Sequence, residues 1–395
     1  MRFIMCDFRI LRPQYESRQE DALNWIVHAH AYSKYKENLS SENRKSYEEY
    51  FEQMRKIVQR FACKSDKIRS RGSDIADFLH INWDSMEIFN LNKGISGAYM
   101  NQRMQFFDAK AQNLINTFYD NIFDPPQNLI HVSCTGYISP SAPQKLVANK
   151  DWGNLCQVTN AYHMGCYASL PAVRMAEGFL LNESRNILLN NIKKESRVDI
   201  VHTEMCTLHF NPSLHDPEQI VVQSLFSDGH IKYTLCDYND YNLKSSNCAF
   251  ELLTQNEVIF SESHDAMTWR LSDFGFQMAI SRRVPSIIAE NIEKFLENMF
   301  IKASLIFSEE KENAIFAIHP GGPKIIEYIR DILNLMDDQI SFSQEILFEF
   351  GNMSSATLPH IWERISRSNV LKDTLIVSLA FGPGLTISGS VMRVI

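Results

Sequence analysis

No stretch of this sequence stays apolar for long enough to span a bilayer, and none gathers lysines and arginines into a block. The first absence excludes membrane insertion. The second, with a net charge of -8 and a pI near 5.9, removes the electrostatic footprint of a nucleic-acid binder. The eight cysteines (6, 63, 134, 156, 166, 206, 236 and 248) include no C-x-x-C pair and no zinc-type His/Cys spacing, so they read as reduced thiols, most of them in the core. There is no G-x-G-x-x-G run and no Walker loop, and neither a redox cofactor nor a metal is expected. The opening "MRFIMCDFRILRPQ" has too short an apolar run and too many charges for a secretory signal, which predicts a cytoplasmic protein.

What is present is an ordinary globular composition, 45% hydrophobic and 22% charged, in a 395-residue chain long enough for a large core or two packed halves. Residues 15 to 61, with "EEYFEQMRKIVQRF", predict surface helices whose charges form a solvated face. A second helical stretch, "GAYMNQRMQFFDAKAQNLINTFYDNIF", stops before Pro125 and Pro126. Beyond them short apolar runs such as "NLIHVSCTG" and "SRVDIVHTEMC" alternate with helical patterns, which predicts a layered α/β architecture. The polar segment 237–247, "DYNDYNLKSSN", is the candidate seam between residues 1–242 and 243–395. No repeat is visible.

Three polar side chains stand where elements end. Cys166 precedes "YASLPAVRMAEGFLL"; Pro171 fits only in a first helical turn, so a helix starts shortly after Cys166 and its dipole favours thiolate there. His319 closes the apolar run "NAIFAIH" before "PGGP", and Asn352 precedes "MSSATLPHIWERI", with Ser354 or Ser355 as the expected N-cap. Taken singly, each is explained by a core thiol, a satisfied histidine and a turn residue.

Together, "GCYAS…VRMAEGFL", "AIHPGGPKIIEYI", "FEFGNMSSAT" and "AFGPGLT" resemble, in order and spacing, the signature segments of the type III polyketide synthases, the chalcone and stilbene synthase family. The resemblance is good from about residue 125 onward and is that of a divergent, bacterial-type member. It implies a thiolase-like fold of two similar βαβαβαββ-type halves in an α-β-α-β-α layering. The Cys lies in the N-terminal half, which also carries the helical N-terminal region, and the His and Asn in the C-terminal half. It also implies Cys166 as acyl-carrying nucleophile, His319 and Asn352 as its catalytic partners, and Phe226 and Met278 at the two gatekeeper positions. Lys64, Lys67, Arg69 and Arg71 fall in a segment resembling the one that meets the CoA phosphates, although four basic residues near a helix end also suit a solvated face or an acyl carrier protein. Homodimerisation is implied as well, with "CTGYISPSA" reaching toward the partner.

The implied chemistry loads an acyl thioester on Cys166 and extends it with a malonyl thioester by decarboxylative Claisen condensation. An imidazolium of His319 would stabilise the thiolate, and His319 and Asn352 would hold the enolate oxygen. CoA or carrier-protein thioesters are the substrates.

Several positions depart from the family pattern. Ser169 and Leu170 replace the usual pair of glycines after the nucleophile, and Pro171 follows. Trp269 falls where a small residue is common, and Cys206 and His209 replace smaller or hydroxyl side chains. A narrow cavity and few extension steps are the expectation. Phe381 and Gly382 of "AFGPGLT" are read either as cavity wall or as a tight turn. His163, three residues before the thiol, is read as structural or dimer-facing rather than as the base. Rival readings are a single-condensation β-ketoacyl synthase of the third type, a thiolase-fold acyl transferase with a β-keto acceptor, and a non-catalytic partner subunit. Papain-like proteases share the Cys, His, Asn order but not the sequence around the cysteine.

Overall fold

A computed structural model of the chain describes residues 1–42, 44–190, 196–241 and 248–395. The strands are β1 (Phe3–Leu11), β2 (Tyr15–Arg18), β3 (Ser70–Ser73), β4 (Asn128–Ser133), β5 (Gln157–Tyr162), β6 (Arg197–Met205), β7 (Asp228–Asp237), β8 (Phe250–Ile259), β9 (Met267–Ser272), β10 (Gly275–Ile280), β11 (Ile315–Ile318), β12 (Leu375–Gly382) and β13 (Thr386–Val394). The α-helices are α1 (Gln19–Glu37), α2 (Tyr47–Phe61), α3 (Met100–Phe118), α4 (Ala142–Asn149), α5 (Ser169–Asn190), α6 (Pro217–Leu225), α7 (Val284–Lys302), α8 (Phe307–Glu310), α9 (Pro323–Leu333), α10 (Asp337–Phe350) and α11 (Thr357–Ser366). No helix among the described residues is long and apolar enough to cross a membrane.

One sheet runs β11-β12-β13-β8-β1-β7-β6-β4-β5. Read outward from the β1/β8 contact, each half repeats one pattern. The first strand pairs antiparallel with the last (β1 with β7, β8 with β13), the last pairs antiparallel with the one before it (β6, β12), and that strand lies parallel to an earlier one (β4, β11). The two similar halves expected from the resemblance are thus present as topology. Their expected boundary at 242/243 falls in 242–247, outside the described residues.

Strands such as Asn128–Ser133 and Leu375–Gly382 are buried along their whole length, as continuous apolar runs under helices must be. The N-terminal "FIMC" lies at the centre of the sheet between β7 and β8, with Ile4 and Met5 fully buried. Its pairing with β8 stops at Met5, and its ladder with β7 is interrupted by a bulge between Cys6 and Arg9, where Asp7 has φ 55°.

Residues 15–61 correct the reading of them as surface helices. Only α2 is a surface amphipath, with its Ser46–Glu49 capping box. In α1, Trp25, Ile26, Val27, Ala29, His30 and Ala31 are all buried, because its apolar residues run round the helix and pack against α2 and α6.

Candidate active site

Cys166 sits in the turn between β5 and α5. α5 begins at Ser169 with Pro171 in its first turn, as that proline requires. Gly165 makes the turn possible: its φ is +93°, and a Cβ there would lie 2.5 Å from Pro383 Cδ. The Gly165 N–H donates to Cys134 Sγ at 3.0 Å, and Cys134 donates to the Gly165 carbonyl at 3.2 Å, so the turn is fixed to the end of β4. The Cys166 thiol is buried, with Sγ 3.7 Å from Ser354 Oγ. Burial pushes it up to about 12, against the Ser354 hydroxyl and with the nearby Glu204 charge adding to the rise.

His319 is placed by β11, whose last turn ends in the His319 N–H donating to the Leu379 carbonyl of β12 at 2.8 Å. Its ring is 1% exposed, and among the described residues neither ring nitrogen has a hydrogen-bond partner. Burial pulls the imidazole down to about 3, so it is neutral. Burial favours the uncharged form of both groups, which works against the imidazolium–thiolate pair expected from the sequence.

Asn352 is held by its backbone beside Phe226: its N–H donates to Leu225 O at 3.0 Å and its carbonyl accepts from Ser227 N at 2.9 Å. Its side-chain oxygen accepts the Ser354 N–H at 2.9 Å, which leaves Nδ2 as a buried donor with no partner among the described residues. Gly351 permits this approach, since its φ is +73° and a Cβ would lie 3.0 Å from Leu225 O. Ser354 and Ser355 are not the N-cap expected. The helix proper starts at Thr357, after a 3-10 turn over Ser354–Ala356, and both serines face inward. Ser354 approaches Cys166, and Ser355 donates to Glu204.

A cavity opens on the thiol. Of the expected pocket residues, Phe226, Met278, Trp269, Cys206 and His209 line it with Cys166. Phe381 and Gly382 are not in its lining: they belong to β12, paired with Ile387 and Thr386, and Gly382 lies against the Tyr167 ring, while the adjoining Pro383 reaches the cavity. His209 is fully satisfied, its Nε2 donating to Thr135 O at 2.7 Å and its Nδ1 accepting the Phe276 N–H at 3.1 Å, and burial holds it neutral, at about 3. The cavity measures ≈ 620 Å³, the open space at its mouth included.

Glu204 was missed. It lies on β6, accepts Cys134 N at 3.0 Å and Thr135 Oγ1 at 2.7 Å as well as the Ser355 hydroxyl, and burial raises its pKa. One carboxylate thereby ties the Cys134 turn to the Ser354–Ser355 turn across the thiol. A charged residue inside the buried run "VDIVHTEMC", on the same face as His202 and Cys206, was the available signal.

The basic cluster divides. Lys64, Lys67 and Arg69 are exposed, and Lys67 pairs with Glu327 at 2.9 Å. Arg71 is buried, so its place in a phosphate-binding surface is corrected. Its guanidinium donates to Gln19 Oε1 at 2.7 Å, Gln223 O at 2.7 Å and Phe226 O at 2.8 Å, and burial pulls it down to about 10. Arg71 fixes the cavity wall from behind.

The fold is the thiolase-like one of the type III polyketide synthases of known structure. It superposes on the crystal structure of the C-terminal type III polyketide synthase domain of Steely1, a type I/III hybrid from Dictyostelium, with a TM-score of 0.79 at 21% identity, covering 100% of this chain and 99% of that one. Residues 251–395 match the sequence profile of the chalcone and stilbene synthases, C-terminal domain. A probable polyketide synthase 1 of Dictyostelium discoideum is 29% identical over 273 residues, 67% of this chain but 8% of that protein. Type III polyketide synthase C of Arabidopsis thaliana is 28% identical over 271 residues, 67% of each chain. The chain thus carries a match to the chalcone and stilbene synthase C-terminal domain over residues 251–395, within a fold shared along its whole length with type III polyketide synthases of known structure.

Proposed function

We propose that the protein condenses thioesters: it loads an acyl group on Cys166 and extends it with a malonyl thioester in few steps. The observation that supports this most is the set of buried polar groups without partners among the described residues, the His319 ring and the Asn352 Nδ2, together with a buried thiol that lines a mainly apolar cavity and meets Ser354, the residue whose N–H orients the Asn352 amide. Such groups are costly to bury unless a substrate engages them.

Because burial favours the neutral form of both groups, loading begins with His319 taking the Cys166 proton as sulfur attacks the acyl carbonyl. The donor thiolate leaves and takes up that proton, and the acyl-enzyme thioester remains. A malonyl thioester then loses carbon dioxide. Its enolate oxygen is held by an imidazole N–H and the Asn352 NH2, donors aimed at charge that forms only then. The enolate carbon attacks the Cys166 thioester, forming a carbon–carbon bond and expelling the thiolate, which reloads. The donor is a CoA or carrier-protein thioester, with Lys64, Lys67 and Arg69 as the basic residues for its phosphates, and the working unit is a homodimer.

The bulk of Trp269, Phe276 and Met278 around the cavity supports one or two condensations, the limit at which the reaction is that of a single-condensation ketoacyl synthase. Incubating the protein with a panel of acyl-CoAs and weighing it intact tests loading. The expected result is an adduct lost in Cys166→Ala, followed by malonyl-dependent carbon dioxide release. Long polyketides as products would overturn the limited extension, and no adduct with any thioester would overturn the function.

A further inference from the structure

The outer wall of the cavity is a hairpin, β9 and β10, whose strands pair only with each other among the described residues. Trp269 and Met278 are partners in its register and, with Phe276, line the cavity. Since no ladder joins the hairpin to the main sheet, its distance from the thiol depends on the groups that fasten it. From α6, Gln219 Nε2 donates to Met278 O at 2.9 Å. His209 accepts from Phe276 N at 3.1 Å, and the Trp269 indole donates to Cys134 O at 2.7 Å. At its ends the hairpin is tied by Gly384 N donating to Met267 O at 3.0 Å, Met100 N donating to Asp273 O at 2.8 Å and Ile280 N donating to Glu218. Beside the cavity a further fastening comes from the nucleophile's own turn: His163 Nε2 lies 3.0 Å from Trp269 O, with its ring 4.9 Å from that of Phe276. Since a carbonyl can only accept, His163 Nε2 carries the proton. His163 itself is held at φ 60°, a left-handed conformation that a non-glycine residue keeps only where its surroundings fix it.

We infer that His163 is a positioning residue that docks the β9–β10 hairpin onto the Cys166 turn, and that this bond sets how deep an acyl chain can sit beside the thiol. His163 and Cys166 share one short turn, so the bond is the most direct covalent-plus-hydrogen-bond path between nucleophile and wall. Loss of the donor frees the Trp269 carbonyl and lets the wall move outward while the thiol, His319 and Asn352 keep their own contacts. The consequence for acyl length rests on the condensing function proposed above; the docking does not.

Two readouts on the full-length protein separate them. Hydrogen exchange over residues 267–280 is expected to be about tenfold faster in His163→Ala than in the wild type, and close to wild type in His163→Gln, whose amide N–H replaces the donor. Competition among acetyl-, butyryl-, hexanoyl- and octanoyl-CoA, read as the mass of the adduct on Cys166, is expected to shift toward longer chains by about fivefold in His163→Ala and not in His163→Gln. Unchanged exchange in a folded His163→Ala protein overturns the docking. Faster exchange with an unchanged chain-length profile overturns the link to depth. Faster exchange with no adduct in any variant, wild type included, overturns the condensing function and the depth link with it, while leaving the docking in place.

Discussion

The side-chain oxygen of Asn352 accepts the Ser354 N–H at 2.9 Å, so its NH2 is the end left free in a buried site. The bond decides the orientation of an amide whose two ends are otherwise interchangeable, and it leaves the NH2 as the donor assigned to the enolate in the proposed reaction.

Asn352→Ala removes that donor. Malonyl-CoA decarboxylation is expected to fall by about 10²–10³-fold. Loading of Cys166, which does not form the enolate, should stay within a few-fold of wild type. Carbon dioxide release and intact mass measure the two steps separately, and equal losses in both would remove the assignment.

Cys166 is held as thiol by burial, at about 12. An acid whose pKa is raised is protonated below that value, so its thiolate fraction, and with it the rate of iodoacetamide alkylation, should climb about tenfold per pH unit from pH 6 to pH 9. A rate that is flat over this range would mean that the thiolate is already formed, as in an ion pair with His319.

Buried neutral histidines make the fold acid-sensitive. His131, His209 and His319 are each pulled down to about 3 by burial, below the ordinary value of 6.5. In that window the unfolded chain binds more protons, so the stability these groups confer is complete above pH 6.5 and is lost as pH falls toward 3. Each contributes a slope of about 1.4 kcal/mol per pH unit where it alone titrates. Thermal melts from pH 8 to pH 4 should show a plateau and then a fall, with a shallower fall in His131→Asn.

The basic residues should separate by role. Charge reversal at Lys64 or Arg69, both exposed, is expected to raise KM for the thioester by several-fold at unchanged Tm. Arg71→Met instead strands the Gln223 and Phe226 carbonyls and should cost about 1–3 kcal/mol of stability per unsatisfied group, seen as a lower Tm.

Trp269→Ala should lengthen the products by opening the cavity past Met278, its partner across the hairpin. An unchanged product spectrum from a folded Trp269→Ala protein would show that another side chain sets the depth.

Much of the site was legible because its residues mark the ends of elements. A cysteine before a proline-bearing first turn, a histidine before "PGGP" and an asparagine after a glycine each carry a local signal, and the order of the segments carried the family. The residues that organise the site gave weaker signals. Glu204 acts through two turns that approach each other only across the sheet, and Arg71 looks like any member of a basic cluster until its burial is known.

The sequence by itself determined the alternation of strands and helices, the places where chemistry could occur and the resemblance to the chalcone and stilbene synthases, because these depend on periodicity, turn residues and local motif. Tertiary structure alone decided that "FIMC" is a central strand, that Arg71 is an internal anchor and that the β9–β10 hairpin closes the cavity. It also buries Cys166 and His319, which favours the uncharged form of each. Each of these is set by burial and by contacts between residues far apart in the chain, and desolvation is a property of the folded surroundings that no local pattern encodes.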